Sequence, residues 1–139
     1  MTLPIAVLCE QFDGDTLLRF QGLVREVIIA PHVQDYAIRL ALATHPDGPT
    51  APDTVKQYVR FGASPRGAQA LVLAAKAAAL LDGRPNVSAA DVRSMAVPAL
   101  RHRLVLGYEA TAAGVTADHI VADVLATVPD PPAGLRGAP

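Results

Sequence analysis

The chain has 139 residues, enough for one domain with a single core, and its net charge of −1 gives no electrostatic case for nucleic acid or an acidic membrane surface. Hydrophobic residues make up 51% and aromatics only 4%, an alanine-rich balance that favours closely packed helices over a β-sandwich. The lone Cys9 excludes an internal disulfide, no apolar run nears the roughly 20 residues of a membrane helix, and no signal peptide is visible, so a cytoplasmic protein is expected.

The first residues carry no clear period, and residues 1–14 read as a linker or the cut start of a longer chain. From Asp15 onward Leu17, Phe20, Leu23, Val24 and Val27 recur at helical spacing. A second helix should open at Pro31 and present Val33, Tyr36, Ala37, Leu40 and Ala41 to a core, stopping before the turn-rich His45-Pro46-Asp47-Gly48-Pro49. Residues 46–53 read as a loop. Beyond them, Val55, Val59 and Phe61 alternate with polar residues, which suggests a short β-ribbon near residues 54–61.

The clearest element runs from Pro65 to about Leu81, with Ala68, Leu71, Val72, Ala75, Ala78 and Ala79 inward and Gly83 free to take the left-handed position at its end. Ser88-Ala89-Ala90-Asp91 resembles a capping box and opens a further helix, which Pro98 should break or kink. A last helix is expected from Thr116 to Val128 on the stripe Ile120, Val121, Val124 and Leu125. The Pro/Gly/Ala-rich residues 129–139 read as a flexible tail. The fold class that results is mainly all-α: a small bundle of about five helices spanning residues 15–128.

Catalytic constellations are sparse. His32, His45, His102 and His119 are scattered without metal-ligand spacing, so no metal site is expected. The chain has no nucleophile elbow and no G-x-x-x-x-G-K-S/T phosphate loop, so it lacks machinery for phosphoryl transfer of its own. Two features stand out. In Gly62-Ala63-Ser64-Pro65-Arg66-Gly67, Ser64 can cap a helix and Pro65 suits its first position, which leaves Arg66 in the first turn. A cation there opposes the helix dipole. A bound phosphate would give it a reason; the plainer reading is a solvated surface arginine. The second feature is Leu100-Arg101-His102-Arg103-Leu104. There one arginine should pair with a carboxylate such as Asp82, Asp91 or Glu109 while the other stays solvated.

Taken in order, Phe61-Gly62-Ala63-Ser64-Pro65-Arg66-Gly67, the alanine-rich helix, Leu80-Leu81-Asp82-Gly83-Arg84, Val87-Ser88-Ala89-Ala90-Asp91-Val92 and Leu100-Arg101-His102-Arg103-Leu104 resemble the C-terminal lid domain of the MoxR family of AAA+ ATPases. The resemblance covers roughly residues 17–128. It implies a helical lid packed over nucleotide held by a preceding α/β core, with Arg66 in the position of the sensor-2 arginine and Ser64 and Pro65 setting the helix start. It implies that Arg101, His102 and Arg103 form a family signature, with a core or subunit interface as their expected place. ATP and magnesium would belong to the full-length protein and none to this chain. The implied partners are its own AAA+ core, neighbouring ring subunits and a protein with a von Willebrand factor A domain. The isolated chain is not expected to be an enzyme. It reads as a C-terminal piece of a longer protein, with a natural stand-alone lid as the alternative. The competing function is an ATP-independent protein-interaction module.

Overall fold

A computed structural model describes residues 12–132, which form seven α-helices, one 3-10 turn and a two-stranded ribbon. Helix α1 (Gly14–Glu26) begins at Asp13, whose carboxylate accepts from the Thr16 N–H at 2.7 Å. Its apolar stripe forms as the spacing predicts, yet no residue of α1 is buried, and Leu17, Phe20 and Leu23 are exposed. Only Val27, at its end, enters the core. The link that follows is pinned by Ile28, whose N–H donates to the Pro85 carbonyl and whose carbonyl accepts from the Val87 N–H.

Helix α2 (Pro31–Leu42) buries Val33, Tyr36, Ala37, Leu40 and Ala41, the set its period marks. The segment after the proline-rich turn corrects the sequence reading. Asp53–Tyr58 is a short helix, α3, and only Val59–Phe61 is a strand, β1. The reason is that six residues are too few to separate a helical period from alternation. β1 pairs antiparallel with β2 (Val105–Leu106), matching Val59 to Leu106 and Phe61 to Val105.

Helix α4 (Pro65–Leu81) and helix α5 (Ala89–Leu100) make the most extensive pairing of the fold. Gly67, Leu71, Ala75 and Ala79 form a buried ridge at every fourth residue, narrower than the predicted stripe, since Ala68, Val72 and Ala78 are half-buried. Small residues on that ridge let the two backbones approach closely. Leu71 and Leu100 are fully buried, each contributing about 1.5–3 kcal/mol of apolar burial. α4 ends with Gly83 at φ 71°, the Gly83 N–H donating to Leu80 O and the Arg84 N–H to Ala79 O.

Of the two outcomes expected at Pro98, a break does not occur; the helix reaches Leu100 and passes into the 3-10 turn Arg101–Arg103. The proline lies in the last turn on an exposed side, where it forfeits a single ladder bond. A short helix α6 (Tyr108–Ala113), absent from the sequence reading, precedes α7 (Ala117–Thr127), which buries Ile120, Val121 and Val124. Of the residues read as a tail, Pro129 and Asp130 are hydrogen-bonded to α2 and α5, while residues 133–139 lie outside the described residues. So do residues 1–11, with Cys9 and most of the expected linker. Among the described residues no helix is long and apolar enough to cross a membrane.

Candidate functional site

The start of α4 is held by the end of α2. Thr44 is fully buried; its Oγ1 donates to the Ala41 carbonyl at 2.6 Å and accepts from the Ala63 N–H at 2.9 Å. Beside it, His45 Nε2 donates to the Ala63 carbonyl at 2.8 Å. Both backbone groups of Ala63 are thereby occupied, and the chain entering the helix has one path. Gly62 makes that path possible: a Cβ there would lie 2.7 Å from the Thr44 carbonyl oxygen. No local pattern links residues 44–45 to 62–63, so the sequence reading missed this clamp; the glycine was its sole visible trace.

From this clamp the helix opens. Ser64 is the N-cap residue in extended geometry and Pro65 takes the first helical position, as expected. The expected side-chain cap is not formed. Ser64 is exposed, its hydroxyl makes no capping bond, and its carbonyl accepts from the Gly67 N–H at 2.7 Å. The clamp at Ala63, rather than the serine hydroxyl, fixes the helix start. Arg66 is exposed in the first turn and forms no ion pair among the described residues.

The arginine turn divides. Arg101 pairs with Asp118 of α7 at 2.7 Å, rather than with Asp82, Asp91 or Glu109. Those first two carboxylates are already held by Arg84, at 3.1 Å and 2.6 Å. Arg103 donates from Nε to the Ala99 carbonyl at 3.0 Å. Its Cδ would lie 3.4 Å from a Cβ at Gly67, so its stem runs over the first turn of α4. The structure thus brings Arg103 beside the turn that carries Arg66 and keeps Arg101 on α7. His102 is exposed and makes no side-chain hydrogen bond among the described residues.

The Arg84–Asp91 pair braces the other end of this layer. Asp91 also accepts from the Ser88 N–H and hydroxyl, each at 2.7 Å, and the Ser88 Oγ accepts from the Asp91 N–H, completing the predicted capping box. The Arg84 guanidinium, chiefly, holds the Asp91 carboxyl well below the usual carboxylate range, with the Ser88 bonds adding to it. Among the described residues no group of three or more His, Cys, Asp and Glu side chains gathers to hold a metal ion. Chemically, the α4 start offers the Arg66 guanidinium and, since Pro65 has no N–H and that of Gly67 is taken by Ser64, the Arg66 backbone N–H, donors suited to a phosphate oxygen. Alongside it, a groove of about 690 Å³ opens between α2 and α4.

Comparison with known proteins supplies the family. The AAA lid domain family matches residues 52–124. The chain is 37% identical to the chaperone MoxR1 of Mycobacterium tuberculosis over 115 residues, covering 83% of this chain and 30% of that protein. It is 48% identical to the MoxR protein of Paracoccus denitrificans over 50 residues, 36% of this chain and 15% of that one. A crystal structure described as that of an ATPase from Cytophaga hutchinsonii superposes with a TM-score of 0.77 at 30% identity, covering 83% of this chain and 35% of the other. The chain therefore spans about a third of the length of MoxR1 and of that ATPase. It belongs to the AAA lid domain family, as the lid region of a MoxR-type AAA+ ATPase.

Proposed function

We propose that this lid closes over ATP held by an AAA+ core, and that Arg66 reads the terminal phosphates as the sensor-2 arginine. The observation that carries the reading is Arg66 itself: an exposed guanidinium without a carboxylate partner among the described residues, on a helix start locked by Thr44, His45 and Gly62. A cation at that end of a helix is uphill until an anion docks. The residues present fit phosphate oxygens but offer nothing to magnesium, which belongs with the core. ATP supplies the hydrolysable phosphoanhydride. The lid's part is to present one positive charge at a fixed place and to exclude water by covering the site.

Arg103, packed over Gly67, extends the same face, and the turn Arg101–Arg103 is its border toward the core or a neighbouring ring subunit. Phe61 and Val105, paired across the ribbon and exposed, lie on the approach to Gly62 and give that face an apolar part. In this reading the full-length protein works in the cytoplasm as a ring that remodels client proteins, with a von Willebrand factor A domain protein as a partner. The test is ATP hydrolysis by a full-length protein in which this lid follows an AAA+ core. Arg66→Ala should lower turnover by about a hundredfold while leaving the lid's melting temperature unchanged. Equal turnover would remove the assignment.

A second reading, an ATP-independent interaction module, draws on the exposed stripe Leu17, Phe20 and Leu23 of α1, far along the chain from Arg66. It predicts that Arg66→Ala changes neither nucleotide-dependent nor partner-dependent behaviour.

A further inference from the structure

The groove between α2 and α4 has a regular construction. On α4 it is lined by Pro65, Ala68, Gln69, Val72, Leu73 and Lys76, positions that follow one another by three and four residues. On α2 the lining is Gln34, Ile38, Ala41 and Leu42, with the same spacing, and His45 joins it from the turn that follows. The α4 stripe covers about three helical turns, roughly 16 Å of axis, and the α2 stripe a little over two, roughly 12 Å. Two apolar stripes with an open trough between them form a surface on which a further helix can pack. The trough is apolar, and no side chain of the described residues fills it: Ile38, Leu42 and Leu73 are 42%, 56% and 47% exposed. These side chains share one seam, unlike the scattered exposed leucines of an ordinary surface.

The rim decides what kind of helix fits. Arg25 and Lys76 stand at one end of the groove and His45 at the other, and no carboxylate lines it among the described residues. A basic amphipathic helix would meet like charge at the Arg25 and Lys76 end, whereas an acidic one would meet complementary charge there beside an apolar floor. We propose that the α2/α4 trough is the seat of an amphipathic helix with acidic flanks, presented by a partner polypeptide. Its apolar side chains, spaced three and four residues apart, enter between Ile38, Leu42, Val72 and Leu73, and its carboxylates face Arg25 and Lys76. The trough's apolar lining and the charges at its end owe nothing to the role given to Arg66.

The test uses the 139-residue chain and a fluorescein-labelled helical peptide of about 15 residues, with leucines on one face and glutamates on the flanks. An isomer with lysine in place of glutamate is the control. Fluorescence anisotropy should show the acidic peptide binding at least about tenfold more tightly than the basic one, with the preference shrinking as salt rises. Ile38→Asp and Leu73→Asp should each weaken binding about tenfold or more, and Arg25→Glu should erase the charge preference. All three positions are exposed, so the variants should keep the parent's circular dichroism. Arg66→Ala should leave peptide affinity unchanged, which separates failure of this proposal from failure of the nucleotide reading. The proposal is overturned if neither peptide binds at about 100 μM, if both bind alike, or if Leu73→Asp has no effect. It is equally overturned if the chain forms a dimer that Leu73→Asp dissolves, which assigns the trough to a second copy. Release of the trough on deleting residues 1–11, seen as about tenfold tighter peptide binding, would assign it to the chain's own first segment.

Discussion

Gly62 shows how one missing carbon can set the position of a distant charge. Its Cα lies so close to the end of α2 that a methyl group would meet backbone atoms of Thr44 at 2.7 and 2.8 Å. Backbone cannot yield as a side-chain end can, so Gly62→Ala must displace either the end of α2 or the start of α4. The expected cost is about 1–3 kcal/mol, seen as a melting temperature several degrees lower. Gly22→Ala is the control: it lies inside α1 with nothing within 4 Å, and its thermal midpoint should hold or rise. Thr44→Val should resemble Gly62→Ala, because it leaves the Ala63 N–H without its partner in a buried place. If Arg66 acts as the proposed sensor-2 arginine, these variants in a full-length ATPase should also blunt the effect of removing it, since the helix start that aims it has moved. The glycine and the arginine were both legible in the sequence. The threonine and histidine that hold them were not, because that contact joins residues 18 and 19 positions apart.

Elements of several turns were legible because their side chains repeat. α2 buries the five residues its period marks, and the Ser88–Asp91 box opens α5 where expected. The six-residue α3 and α6 escaped, since one and a half turns carry no period and take their helical state from neighbours. The partner of Asp91 escaped for a different reason. Arg84 reaches it because Gly83 turns the chain left-handed after α4, a step that brings residues seven positions apart together across a helix gap. This element junction should be sensitive to acid in a defined direction. The folded Asp91 carboxyl ionises below its unfolded value of about 3.9, so its contribution is complete above that pH and fades as pH falls beneath it. Asp91→Ala removes both the cap acceptor and the ion-pair acceptor and should cost about 1–3 kcal/mol at neutral pH. Thermal melts at pH 7 and pH 3 should show the gap between wild type and variant narrowing in acid. A gap that stays constant would mean that the Arg84 pair adds nothing.

At the scale of the whole molecule, the proposed role of reading a nucleotide requires the lid to move as one body, and its last described residues bear on that. After α7 the chain buries Val128 and is hydrogen-bonded to α2 and α5. Asp130 accepts from the buried Tyr36 hydroxyl at 3.1 Å and from Arg93 at 2.7 Å, and Arg39 donates to the Pro129 carbonyl at 3.2 Å. Arg39 also lies over the Tyr36 ring, 5.5 Å from its centre. These links strap the end of the last helix to the first buried one, closing the bundle opposite in sequence to where it opens. Composition alone marks this segment as tail, because proline and glycine say nothing of partners 90 or more residues away. Asp130 is exposed, so Asp130→Ala should cost no more than about 1 kcal/mol. Truncation after Thr127 should cost more, about 2–3 kcal/mol, since it also uncovers the pocket that Val128 fills. The informative comparison lies in hydrogen exchange. If the strap makes the lid one body, truncation should speed exchange in α2 and α5 as well as in α7, because Tyr36 and Arg93 lose their common anchor. Faster exchange confined to α7 would mean that the strap ties down only its own helix, and that the α4–α5 ridge alone keeps the lid rigid.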